Sequence, residues 1–301
     1  MLSNMLSMVC TFLCILISVA YMTMLERKLL SYLQLRKGPN KVGVCGILQP
    51  LSDALKLFMK SNIIPLKSSK FIFTIMPMIG FLLSMLLWGL LPSFYQLKAN
   101  MLGIMLFICI SSLNVYILFG SGWSSNSVYS FLGSMRASAQ MISYEVSMLF
   151  LLSFPVFMLY YLDLDKLLMS YPVMFLMVYM FLMWLACVLA ETNRAPYDFA
   201  EGESELVSGY NIEFSSGLFA FLFLGEYICI LFMSVLTSVC YLMTNNMYSL
   251  LLMVLLMVVW FLLIRGVYPR YRYDKLMSFC WTSMLPLSMS YLSLVYIMWL
   301  L

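Results

Sequence analysis

The stretch SGLFAFLFLGEYICILFMSVLTSVCYLM, residues 216–243, decides the fold. It holds a single charged side chain, Glu226. An α-helix rises about 1.5 Å per residue and the hydrocarbon of a bilayer is about 30 Å thick, so about 20 apolar residues suffice to cross it. Further apolar runs occur at 2–25, 71–92, 101–120, 137–160, 172–190, 247–265 and 276–300. The pattern predicts an all-α polytopic membrane protein with about eight transmembrane helices, residues 1–301 forming a single transmembrane domain. Composition agrees, since 63% of the 301 residues are hydrophobic and only 10% charged, too few to coat a soluble surface. The first run has no basic stretch before it and no small-residue cleavage site after it, so it reads as a retained span rather than a signal peptide.

Eight spans put both termini on one side and the loops 26–70, 121–136, 191–215 and 266–275 on the other. Lysine and arginine divide sharply between the two. Of the 17 basic residues, only Lys98 and Lys166 fall on the side of the termini. The long loops therefore belong to the positive compartment and both termini face away from it. Within the first long loop, a turn at Gly38-Pro39-Asn40 precedes Gln49, a helix cap, and Pro50, a first helical residue. In the helix that follows, Asp53, Lys56 and Lys60 share one face and Leu51, Leu55 and Phe58 another, the pattern of an amphipathic helix lying in the membrane interface.

Several chemistries are excluded. With no histidine in the chain, His-based triads, His-ligated haem and most zinc or copper sites are ruled out. The eight cysteines are scattered, without C-x₂-C or cluster-ligand spacing. No glycine-rich nucleotide loop is present, and the basic residues sit beside spans, which gives no support for nucleic-acid binding. No metal site is expected.

Two carboxylates lie inside spans. Glu145 and Glu226 fall about eight and ten residues into their runs, roughly 12–15 Å deep. Placing an ionisable group there costs about 2.5–3.5 kcal/mol or more, so each requires a purpose. A carboxyl so held can take up and release a proton as its surroundings change; the alternative is an acid hydrogen-bonded between helices for packing alone. Each has a tyrosine beside it, Tyr144 and Tyr227. The loop from Ala190 to Glu213 gathers Glu191, Asp198, Glu201, Glu203, Glu205 and Glu213 around one cation, Arg194. If it folds into the membrane surface, these acids share protons and titrate together; if not, it is a solvated connector. Tyr197 and Phe199, flanking Asp198, can line a slot for an amphipathic ring.

Long motifs carry a resemblance that covers nearly the whole chain. They are Glu26-Arg27-Lys28 with residues 34–43 (QLRKGPNKVG), Gln49-Pro50 with Asp53 and Lys56, residues 122–127 (GWSSNS), Arg136 to Gln140 with Ile142 to Val146, Ala190 to Asn211, and Arg265-Gly266 with Pro269-Arg270 and residues 272–277 (RYDKLM). In these the chain resembles the family of first subunits of mitochondrial NADH:ubiquinone oxidoreductase, respiratory complex I. It departs from the family pattern at Ser61, where the family carries an acid, and at Thr282, where it carries a base.

The resemblance implies a multi-pass subunit of the mitochondrial inner membrane, with its long loops in the matrix and both termini toward the intermembrane space. It implies ubiquinone as the substrate, bound in a tunnel shared with partner subunits. NADH, flavin and iron–sulfur clusters would belong to those partners, leaving no redox centre in this chain. The expected neighbours are quinone-module subunits of the hydrophilic arm, other membrane-arm subunits and lipid. The activity would be proton-translocating NADH:ubiquinone reduction by the whole complex. For the quinone, Arg27, Arg36 and Asp53 are expected at the tunnel mouth, and Tyr197, Asp198 and Phe199 are further candidates for binding it. For proton coupling the candidates are Glu26, Tyr144, Glu145, Glu191, Arg194, Glu201, Glu203, Glu205, Glu213, Glu226 and Tyr227. The competing readings are the anchor subunit of a membrane-bound hydrogenase and a stand-alone proton or cation transporter, against which stands the lack of an internal repeat.

Overall fold

A computed structural model describes residues 2–92, 102–168, 172–198, 209–211, 213–242 and 246–300, with side chains omitted at 2–5 and 298–300. Among the described residues all regular structure is helical. We number the helices α1 (Leu2–Leu33), α2 (Gln49–Met59), α3 (Lys70–Leu87), α4 (Gly103–Ser125), α5 (Val128–Leu159), α6 (Leu164–Leu168), α7 (Val178–Glu191), α8 (Ser216–Cys240), α9 (Met247–Val267), α10 (Tyr273–Ser278) and α11 (Leu285–Leu300). Among the described residues six segments are long and apolar enough to cross a membrane, within α1, α3, α4, α5, α8 and α9. The shorter apolar α7 and the continuous run from α10 to α11 complete the polytopic arrangement. A π-helical segment, Phe279–Met284, joins α10 to α11. Pro286 lies just beyond it; proline lacks an N–H and its ring crowds the preceding turn, which the wider π turn accommodates.

Three boundaries differ from the sequence reading. Helix α1 runs on to Leu33, so Glu26 lies inside a helix and is only 4% exposed, rather than opening a loop. The expected loop 121–136 is almost wholly helical, broken only where Asn126 adopts a left-handed φ of 54° and Ser127 is extended. Its serines and glycines look like loop chemistry. In the structure the hydroxyls of Ser121, Ser124, Ser125 and Ser134 each donate to a carbonyl three residues back, so none of these four is left unsatisfied in its helix. Small side chains also let α4 and α5 approach closely. A Cβ on Gly122 would collide with Ser134. Finally, Gln49 is the first residue of α2 rather than its cap, and its amide donates to Asp53 Oδ1 at 2.8 Å.

Helix α8 is the centre of the fold, packing against α1, α2, α3 and α9. Helix α5 is the second centre, held against α4, α7 and α11. Between them Trp184, Tyr144, Tyr241, Phe107 and Phe232 are completely buried. The outward faces are apolar too, with Leu13, Ile17, Leu82, Leu86 and Leu255 all more than half exposed, as expected of helices solvated by lipid. Helix α2 turns Leu51 and Leu55 outward and Pro50, Asp53, Ala54 and the half-exposed Phe58 toward α1 and α8.

Candidate functional site

Glu26 sits where α1, α8, α9 and the loop after α7 converge. Its Oε1 accepts from Arg194 Nη1 at 3.2 Å and from Arg265 Nη1, and its Oε2 accepts from the Tyr227 hydroxyl at 2.5 Å. Arg194 also lies over the Tyr227 ring, 4.5 Å from its centroid. A carboxylate this buried is tolerable only when its lone pairs are filled, and here three donors fill them. Two arginines against one carboxylate leave this cluster with formal charge +1. Burial acts to lower the pKa of Arg194, but the charge of Glu26, with Tyr227 and Glu226 beside it, outweighs that and holds the guanidinium above its ordinary value.

The loop that presents Arg194 is built from short-range bonds. The amides of Thr192, Asn193 and Arg194 donate to Val188, Ala190 and Leu189, closing α7, and Tyr197 N donates to Arg194 O at 2.8 Å. Asn193 takes a positive φ of 48°, which turns the chain back toward α1. Tyr197 is packed between Tyr144 and Tyr271, with ring centroids 6.2 and 5.6 Å away. Burial, then the neighbouring Tyr271 and Cys187, push its phenol up to about 12.

Two cavities meet at successive residues of α8. A cleft of about 440 Å³ between α1, α2 and α8 is walled by Leu57, Phe58, Phe219 and Phe223, with Glu26, Tyr227 and Arg265 among its lining. Arg27 and Asp53 form an ion pair of 2.7 Å on the same cleft, tying α1 to α2. A smaller cavity of about 90 Å³ between α3, α4, α5 and α8 is bordered by Glu191, Glu226, Asn114, Thr192, Asn193 and Tyr210. There the Tyr210 hydroxyl donates to Glu226 Oε1 at 2.6 Å. Successive helical residues point about 100° apart, so Tyr227 meets one cavity and Glu226 the other. Arg194 acts electrostatically on both Glu26 and Glu226, and Glu145 on Glu191.

The structure thus brings together Glu26, Arg194, Tyr227, Glu226, Glu191 and Glu145, and separately Arg27 with Asp53. Asp198 acts on Glu226 from the end of the loop. Two expected residues stand apart. Arg36 is exposed on the turn after α1, where its backbone amide donates to Ser31 O at 2.9 Å, and it does not line the cleft. The Tyr144 hydroxyl donates to Leu276 O at 3.2 Å, so it holds α5 to α10 rather than serving Glu145. Glu213 is partly buried just before α8. Phe199, Glu201, Glu203 and Glu205 lie outside the described residues.

Sequence reasoning missed Arg265, Tyr210 and Gln140. Arg265 is the only charged residue of the 21-residue α9, and the rule that singles out carboxylates in apolar runs applies equally to it. It was obscured by ending the span at residue 265. Tyr210 and Gln140 carry no comparable signal.

The family model described as NADH dehydrogenase matches residues 6–296. A protein of Aedes aegypti named NADH-ubiquinone oxidoreductase chain 1 is 50% identical over 285 residues, covering 93% of this chain and 90% of its own length. Proteins of the same name from Artemia franciscana, at 49% over 92% of this chain and 93% of theirs, and from Oncorhynchus mykiss, at 44% over 92% and 89%, are similar along the same extent. This chain, with its Glu26 cluster between two cavities, therefore belongs to the NADH dehydrogenase family.

Proposed function

We propose that the cleft between α1, α2 and α8 receives the ubiquinone head and that the carboxylates around the smaller cavity couple its reduction to proton movement. The chain is a core membrane subunit of NADH:ubiquinone oxidoreductase, respiratory complex I, and a multi-pass protein of the inner membrane. It takes part in that activity within the assembled complex, with ubiquinone as substrate and the other subunits as partners. NADH, flavin and iron–sulfur clusters are assigned to those partners, in keeping with a sequence that has no histidine and no cluster-ligand cysteine spacing.

The observation that carries the reading is the cleft itself. A quinone presents an apolar ring and tail with two carbonyl acceptors, and suits a mostly apolar pocket with a few placed donors. The cleft offers aromatic and aliphatic walls, with the guanidinium groups of Arg27 and Arg265 as donors at its edge. Charge altered at Glu26 by a bound head acts next on Arg194, which also faces Glu226. Glu226 and Glu191 then share the inner cavity, and Glu145 lies within electrostatic reach of Glu191. The acids at 201, 203 and 205 join this set in the proposal as a loop that follows the reduction event.

Filling the cleft tests the reading. Ala54→Phe, on the wall contributed by α2, is expected to raise the apparent KM for a short-chain quinone several-fold in the assembled complex. Oxidation of NADH by an artificial hydrophilic acceptor should be unchanged. Ordinary quinone kinetics in a fully assembled variant would remove the cleft from the quinone path.

A further inference from the structure

Gln140 belongs to none of the groups discussed above, yet it is a fully buried polar side chain in the middle of α5. Its Nε2 donates to Ala190 O at 3.0 Å and to Tyr197 O at 2.9 Å. The amide orientation is fixed by these partners, because the opposite choice would set Oε1 against two carbonyl oxygens. The two acceptors are the two ends of the loop that carries Arg194 at its middle. An apolar side chain of similar shape removes both bonds: Ala190 O keeps the backbone amide of Asn193, whereas Tyr197 O loses its Gln140 donor and the cross-link between the two ends is gone.

We infer that Gln140 is a positioning residue, a clasp that closes the loop 190–197 so that Arg194 is held between Glu26 and Tyr227. Both sides of the loop have further anchors. Its start is the end of α7, and its far end is tied to the chain after α9, where Tyr271 N donates to Pro196 O at 3.0 Å. Between these fixed points Arg194 reaches a carboxylate 168 residues away in sequence. With the clasp open, Ala190 and Tyr197 are free to separate and the Arg194 side chain loses the frame that aims it. The effect on quinone kinetics rests on the assignment of the cleft to the quinone.

Two variants in the assembled complex test this. In Gln140→Met, which keeps length and removes both donors, hydrogen–deuterium exchange of a peptide covering residues 190–197 is expected to rise at least tenfold, and the apparent quinone KM to rise with it. Gln140→Glu supplies one donor when its carboxyl is protonated and a charge facing two carbonyls when it is not. Its quinone-linked rate should therefore fall as pH rises, relative to wild type, while the artificial-acceptor rate keeps the wild-type profile. A merely space-filling side chain would give no such pH dependence. Unchanged exchange in Gln140→Met overturns the clasp whatever the kinetics do. Raised exchange with ordinary quinone kinetics leaves the clasp standing but overturns its part in the reaction, while the placement of quinone in the cleft is judged separately by Ala54→Phe.

Discussion

Replacing Arg194 by Met keeps the volume of the side chain's stem and removes its charge. In the native protein the Arg194 and Glu26 side chains are 14% and 5% exposed, so water screens their pairing little. The change removes one charged hydrogen bond, worth about 1.5–3 kcal/mol, and the contact with the Tyr227 ring, worth about 0.5–2 kcal/mol. Glu26 keeps Arg265 and the Tyr227 hydroxyl, so the full cost of about 3–5 kcal/mol for stranding a buried ion is not reached. The two lost contacts together amount to about 2–5 kcal/mol, and at about 1.36 kcal/mol per decade this lowers the population of the ordered cluster by roughly 30- to 5000-fold relative to its open forms. The cluster's formal charge also falls from +1 to zero. The assay is quinone-dependent NADH oxidation in membranes, paired with an artificial acceptor that reports assembly. Arg194→Met should lose at least nine-tenths of the quinone-dependent rate while the acceptor rate stays, and Arg194→Lys should recover part of it by restoring the charge without the planar fork. Wild-type quinone kinetics in Arg194→Met would refute the claim that this buried pair organises the site.

Glu145→Gln and Glu226→Gln each keep size and hydrogen bonding while removing titration; the complex should assemble and reduce quinone with fewer protons moved per electron pair, and full pumping in both would make these acids structural. Topology gives a separate test. Protease added to the intermembrane side of intact mitoplasts should leave the connections 34–69 and 192–215 uncut, and cleavage in either would reverse the orientation drawn from the charge asymmetry.

The helical membrane fold was legible because hydrocarbon imposes a strict requirement: the backbone must satisfy itself, and uninterrupted apolar length records that requirement directly. Residues 216–243 show it, since α8 begins at Ser216 as read. Legibility failed where polarity was satisfied within the helix, as in the serine-rich ends of α4 and α5, because hydropathy counts a hydroxyl as polar whether or not it has returned its proton to the backbone. The carboxylates Glu145 and Glu226 could be singled out because their cost in the membrane is large. Their partners could not. Tyr210 and Glu226 are close in the chain, but the donors to Glu26 lie 168, 201 and 239 residues away, and no periodicity links positions so distant. Tyr144 enters the sequence reading through its place beside Glu145 and Arg36 through the family resemblance; in the fold the Tyr144 hydroxyl donates to Leu276 O and Arg36 is exposed on the turn after α1.

The wiring of Glu26 also constrains how the chain is made. The first span leaves the ribosome long before Arg194, Tyr227 and Arg265 exist, the last of them 239 residues later. At roughly 5–20 residues per second that interval is about 10–50 s. For the first 168 residues of it the carboxyl has none of the partners that later make its burial tolerable, so α1 must wait with this end near the lipid headgroups and water. Only after α9 is synthesised can the cluster close. A single acid near the beginning of the sequence therefore works as a timing device: the bundle cannot lock around its first helix until nearly nine-tenths of the polypeptide has been translated.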